Sequence, residues 1–151
     1  MANNDSSTQH AVDTRALLDR AQRYCATAEH CSVEVEQLLL RHGAESEQIR
    51  KIIDSLTAHD YLNPARYCHA FVHDKVAFQS WGRNKIRMAL AAKRLPDELI
   101  QAALQDIDED TYAANMRKLL RTKHTDDKQK LLRFMLQRGY TFDDLRELTD
   151  E

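Results

Sequence analysis

Breakers of regular structure are scarce, with three glycines and two prolines among 151 residues. Such a chain can hold helix after helix with little interruption. Strands are not indicated, because no segment alternates β-branched and polar residues at period two. Any uncharged apolar run long enough to cross a bilayer is also missing, and the opening MANNDSSTQHAVD has neither the basic start nor the apolar run of a signal peptide. A soluble cytoplasmic protein with no membrane partner is expected. Cys25, Cys31 and Cys68 are odd in number and include no CxxC pair, which argues for reduced thiols and against a disulfide framework or a four-cysteine zinc site. No Gly-rich phosphate loop, G-x-S-x-G or H-E-x-x-H occurs, so neither an enzyme nor a cofactor is expected and no catalytic residue is assigned.

What the chain does have is the composition of a folded helical protein, 42% hydrophobic and 30% charged. Residues 1–12 are polar and aperiodic and read as a disordered tail. From Asp13 the apolar residues keep helical spacing: Leu17, Ala21, Tyr24 and Cys25, then Val35, Leu38 and Leu39, then Ile49, Ile52, Ile53 and Leu56. Asn63-Pro64 predicts a helix start, Ser80 is a candidate cap for a helix through Ile86 and Leu90, Pro96 opens the next, and Thr141 with Asp144 resembles a capping box.

Three segments align without gaps: VEQLLLRHGAESEQIRKII, IRMALAAKRLPDELIQAAL and LLRFMLQRGYTFDDLREL. The register pairs Val35 with Ile86 and Leu131, Leu39 with Leu90 and Met135, Gly43 with Arg94 and Gly139, and Ile49 with Ile100 and Leu145. An upstream helix precedes each: from Ala16 to about Ala28, from Pro64 to about Val76, and from Thr111 to about Leu120. The expected architecture is therefore all-α, with three tandem three-helix repeats over 13–59, 60–107 and 108–151 in an elongated, curved arrangement. A monomer is expected.

Net charge is −2, which gives no overall reason to expect nucleic-acid binding. The charges are nevertheless arranged in blocks. Between Asp74 and Asp97 there is no acid, while Lys75, Arg83, Lys85, Arg87, Lys93 and Arg94 are all present. On a helix Arg83, Arg87 and Arg94 fall within about 40° of one another, beside the Ile86 and Leu90 stripe, where they could meet phosphates or carboxylates. The bland alternative is a solvated helix face. A second basic group, Lys118, Arg121 and Lys123 with Lys128, Lys130 and Arg133 after it, also suits the dipole of a helix C-terminus. Residues 97–110 hold six acids and no Lys or Arg, and either face basic partner surfaces or keep unlike patches from self-associating. His69 and His73 are spaced i, i+4, but no third and fourth ligand has fitting spacing, so no metal is assigned. Tyr67, Phe71 and Trp81 read as core, with a stacking platform for single-stranded bases as the alternative.

The window YLNPARYCHAFVHDKVAFQSWGRNKIRMALAAKRLPDELIQAAL resembles the RecX regulatory family through Tyr61, Leu62, Tyr67, Phe71, Val72, Lys75, Gly82, Ile86, Leu90 and Lys93. The flanking segments from Thr14 to Leu148 are similar to that family's outer repeats. Asn63 stands where the family usually has Asp, Cys68 where it has Ala, and Arg94 where the turn usually has Gly. An Arg in the left-handed region would be strained. The resemblance implies a non-enzymatic regulator that lies in the groove of the RecA–DNA filament and restrains ATP hydrolysis, strand exchange and co-protease activity. The implied partners are the RecA nucleoprotein filament and the DNA backbone. The basic residues named above, from Lys75 to Lys123, are the candidate contacts. A different class remains open: an independent DNA-binding regulator using residues 82–106 as a helix-turn-helix.

Overall fold

The computed structural model describes residues 12–149, and all but the last residue of the tail expected at 1–12 lies outside them. Among the described residues the chain is all-α, with nine helices and no strand. They are α1 (Thr14–Thr27), α2 (Ser32–Arg41), α3 (Ser46–Ala58), α4 (Pro64–Gln79), α5 (Arg83–Ala92), α6 (Asp97–Gln105), α7 (Glu109–Thr122), α8 (Lys128–Gln137) and α9 (Phe142–Thr149). The chain parts into two compact units after Tyr67, inside α4.

The first unit closes on Leu17 and Ala21 of α1, Val35 and Leu39 of α2, and Ile49, Ile52 and Leu56 of α3, with Ala44 and Leu62 completing the cluster. Burial of each large aliphatic side chain contributes about 1.5–3 kcal/mol. Val12, which the sequence placed in the tail, packs on this cluster, and its carbonyl accepts from Gln48 Nε2 at 2.6 Å. Caps fix the helix starts: Asp13 accepts from the Arg15 amide, Glu34 from the Cys31 amide and Gln48 from the Glu45 amide. Asn63 caps α4 through the Arg66 amide at 3.0 Å, as the Asn63-Pro64 pair predicts.

The aligned turns share one geometry. Gly43, Arg94 and Gly139 have φ of 83°, 61° and 102°. At each turn the next residue's amide returns to a carbonyl five positions back: Ala44 to Leu39, Leu95 to Leu90 and Tyr140 to Met135. Those three carbonyls belong to Leu39, Leu90 and Met135, all fully buried. Arg94 therefore adopts the left-handed conformation that its alignment with two glycines demands.

In the second unit the predicted Ser80 cap is replaced. Ser80 has φ of 53°, and Gly82 is the N-cap residue of α5. No Ser or Thr is needed there, because the third aligned turn supplies the acceptors. The Gly82 amide donates to the Arg138 carbonyl at 2.7 Å, the Asn84 amide to the Gly139 carbonyl at 2.9 Å, and the Arg83 amide to the Tyr112 hydroxyl at 3.0 Å. Tyr140 in turn donates its hydroxyl to the Ser80 carbonyl at 2.6 Å. The backbones of Gly82 and Gly139 approach so closely that a Cβ on Gly82 would lie 2.2 Å from the Gly139 carbonyl carbon. This contact ties the predicted second and third repeats into one unit.

The cysteines form no disulfide. Cys31 in the first unit and Cys68 in the second are buried, while Cys25 is half-buried and its thiol is pushed up by that burial. No helix among the described residues is long and apolar enough to cross a membrane.

Candidate nucleic-acid interface

The turn after α4 builds the main basic cluster. The Trp81 amide donates to the Lys75 carbonyl at 3.1 Å, folding the chain back so that the indole meets Phe71 edge-on with ring centroids 6.3 Å apart. Lys75, one helical turn after Phe71, puts Nζ 5.2 Å from that ring and 4.6 Å from Trp81. From the first turn of α5, Lys85 brings its own Nζ 4.3 Å from the indole. Two ammonium groups thus share one aromatic ring, each held by cation–π attraction worth about 0.5–1 kcal/mol at such half-exposed sites. Among the described residues no carboxylate pairs with Lys75, Lys85, Arg87 or Lys93. Arg87 donates to Asn84 Oδ1 at 2.9 Å, and its Nε has no acceptor among the described residues.

Arg83 sits differently. Its side chain is only 20% exposed, pairs with Glu109, lies 3.9 Å from Asp144 and covers the Tyr112 ring with Cζ at 4.2 Å from the centroid. Tyr112 donates its hydroxyl to Asp144 at 3.0 Å, and Asp144 also accepts from the Thr141 amide in the predicted capping box. Burial raises the pKa of Tyr112, and burial pushes Tyr140, tilted against it at 5.3 Å, up to about 12. Arg83 therefore fastens α5 to α7 and α9, and the projection grouping it with Arg87 and Arg94 does not describe one surface. That projection also fails at its other end, because α5 stops at Ala92, Lys93 caps it and Arg94 lies in the turn.

On α7, Lys118 and Arg121 are exposed, and Lys123 at the C-cap places Nζ 4.7 Å from the Phe134 ring. His69 faces Asp106 at 3.4 Å while Cys68 is buried on another side of α4, and no group of three potential metal ligands occurs among the described residues. Sequence reasoning treated Trp81 as core and missed its role as the hub of two lysines. The i, i+4 spacings of Phe71 with Lys75 and of Trp81 with Lys85 were the available signal.

Comparison with known proteins joins these features to a family. The profile of the RecX second three-helix domain matches residues 64–104, the segment that contains this cluster. A Vibrio parahaemolyticus protein named regulatory protein RecX is 30% identical over 138 residues, covering 87% of this chain and 88% of its own. The chain belongs to the RecX family. A RecX from Prosthecochloris aestuarii is 27% identical over 143 residues, covering 92% of this chain and 95% of the relative. RecX proteins of Clostridium perfringens and Clostridium botulinum are longer, and the chain spans 56% to 59% of their length. A crystal structure of a regulatory protein RecX superposes with a TM-score of 0.81 at 17% identity, covering 91% of this chain and 73% of that one, which establishes the shared helical-repeat fold. Within the RecX profile the Lys75, Trp81 and Lys85 cluster sits at the α4–α5 junction, and the family is one of regulatory proteins.

Proposed function

We propose that this RecX-family chain is a non-enzymatic cytoplasmic regulator that binds the RecA–DNA filament along its groove, bridges neighbouring protomers and inhibits ATP hydrolysis, strand exchange and co-protease activity. The three repeats at 13–59, 60–107 and 108–151 would each present a surface to the groove. The observation that carries this reading is the Lys75, Trp81 and Lys85 cluster, with Arg87 beside it. Among the described residues its cations have no acid partner, and the aromatic rings already order the two lysines, so less side-chain entropy is lost when a phosphate or carboxylate docks. Lys93 and Arg94, in the turn after α5, and Lys118, Arg121 and Lys123 provide further contacts, and Arg83 holds α5 in place.

The helix-turn-helix alternative fits less well. Its recognition helix would be α6, which begins with Asp97 and Glu98 and contains no Lys or Arg, whereas such a helix has to enter the phosphate-lined major groove N-terminus first. The test is a titration of the protein into RecA assembled on single-stranded DNA, following ATP hydrolysis and strand exchange. Inhibition at sub-stoichiometric ratios is expected, and K75E/K85E should remove it while circular dichroism stays unchanged. No effect of the wild-type chain at any ratio, or tight binding to one duplex sequence with indifference to RecA, overturns the reading. Trp81 is the only tryptophan, so its fluorescence reports occupancy of this cluster directly.

A further inference from the structure

A second surface of the same unit has the opposite character. A cavity of about 440 Å³ opens between α4 and the α6–α7 turn, within the about 300–1,000 Å³ usual for binding clefts. Its floor is apolar: Val72, Val76, Ala103 and Ile107 are all buried. Its rim is His69, His73, Asp106 and Asp108. Among the described residues the Asp106 carboxylate pairs with His69 alone, at 3.4 Å, and its side chain is 72% exposed. Asp108 is occupied as the N-cap of α7, where the Thr111 hydroxyl and amide hold its carboxyl below the usual range. The segment 97–110 brings no Lys or Arg to this rim. Phe78, 79% exposed, sets its ring edge-on to His73 at 6.5 Å and adds apolar surface on that side.

The two surfaces occupy different sides of α4. At 100° per residue, His69, Val72, His73 and Val76 span roughly 100°, and Lys75 and Phe71 lie roughly 110° or more from the middle of that arc. Nucleic acid does not suit the cleft, because Asp106 and Asp108 repel phosphate. A hydrocarbon side chain fills its floor, and an adjacent cation meets Asp106.

We propose that this cleft docks a segment of the filament's protein subunits that presents an aliphatic side chain next to a lysine or arginine. This rests on the reading of the chain as a filament regulator and divides its contacts in two: cations on the α4–α5 side for acidic groups and phosphates, an acid-rimmed cleft for a basic, apolar protein segment.

The cleft can be tested at two exposed positions, Asp106→Lys and Ala77→Trp, with affinity measured both for RecA filaments on labelled single-stranded DNA and for the same DNA without RecA. Wild type should prefer the filament. Asp106→Lys should weaken filament binding by about tenfold, as loss of a cross-interface charge contact does, while its affinity for naked DNA holds or rises with the added positive charge. Ala77→Trp should weaken filament binding alone, by obstructing the cleft. If both variants bind filaments as wild type does, or if Asp106→Lys strengthens filament and DNA binding together, the cleft does not dock protein and the inference is overturned. A wild-type chain that shows no preference for filament over naked DNA instead overturns the regulator reading itself.

Discussion

Gly43 and Gly139 occupy the same place in two copies of one turn, and their surroundings differ completely. Both have left-handed φ, and both precede a residue whose amide closes onto a buried carbonyl. Gly43 is exposed, and among the described residues a Cβ there would meet the Val12 side chain alone, at 3.0 Å. Gly139 is buried, and a Cβ there would press on the Lys85 amide at 2.6 Å and the Gly82 carbonyl oxygen at 2.7 Å. Arg94, the third member, carries a full side chain in the same conformation. The backbone requirement is thus common to all three turns, while the steric requirement belongs to one of them. A glycine can be there for its dihedral angle or for its missing side chain, and only the packing distinguishes the two.

Substitutions separate these contributions. Gly139→Ala should be the most damaging, because left-handed strain of about 1–2 kcal/mol adds to a backbone clash that cannot be relieved by rotating a side chain. A total of about 3 kcal/mol or more is expected, read as a lower urea midpoint. Tyr112→Phe removes the hydroxyl that accepts from the Arg83 amide and donates to Asp144, at a cost of about 1–3 kcal/mol. It also carries a pH signature. The raised pKa of Tyr112 means that its contribution is complete below the ordinary tyrosine range near pH 10 and is lost as pH rises through the higher folded-state value. The Phe variant should consequently lose less stability than wild type between neutral and strongly alkaline pH.

Gly43→Ala should cost only the dihedral strain, about 1 kcal/mol. If it costs as much as Gly139→Ala, the distinction between the two turns fails. Arg94→Gly should have the smallest effect and the opposite sign, a gain of up to about 1 kcal/mol from relieved strain, offset in part by the greater freedom of glycine in the unfolded chain. A loss on Arg94→Gly would mean that contacts of the arginine outweigh its strain.

The turns were legible in the sequence because their geometry depends on a few neighbouring residues. Gly43, Arg94 and Gly139 fall into register on apolar spacing alone, and the strain at Arg94 follows from that register. The interlock of Gly82 with Gly139 was not legible. It joins residues as far apart as Ser80 and Tyr140, 60 positions along the chain, and no local pattern encodes which carbonyl will complete a distant helix start. The same limit explains Arg83. Its charge and helical phase suggested an outward-facing contact, but Glu109, Tyr112 and Asp144 are brought to it by tertiary packing. Lys75 and Lys85 were legible as members of the basic block, and their i, i+4 spacing to Phe71 and Trp81 is what sets them apart from its other cations.

The two enclosed thiols provide a timing device. Cys31 belongs to the first compact unit and Cys68 is the first residue of the second, and both are buried, so neither reacts with an aqueous thiol reagent until the packing around it comes apart. Mass-resolved labelling over time therefore reads two clocks in one molecule. If Cys31 and Cys68 are modified at equal rates, the units open together; if one leads, the chain comes apart in stages, and the identity of the faster thiol says which half yields first.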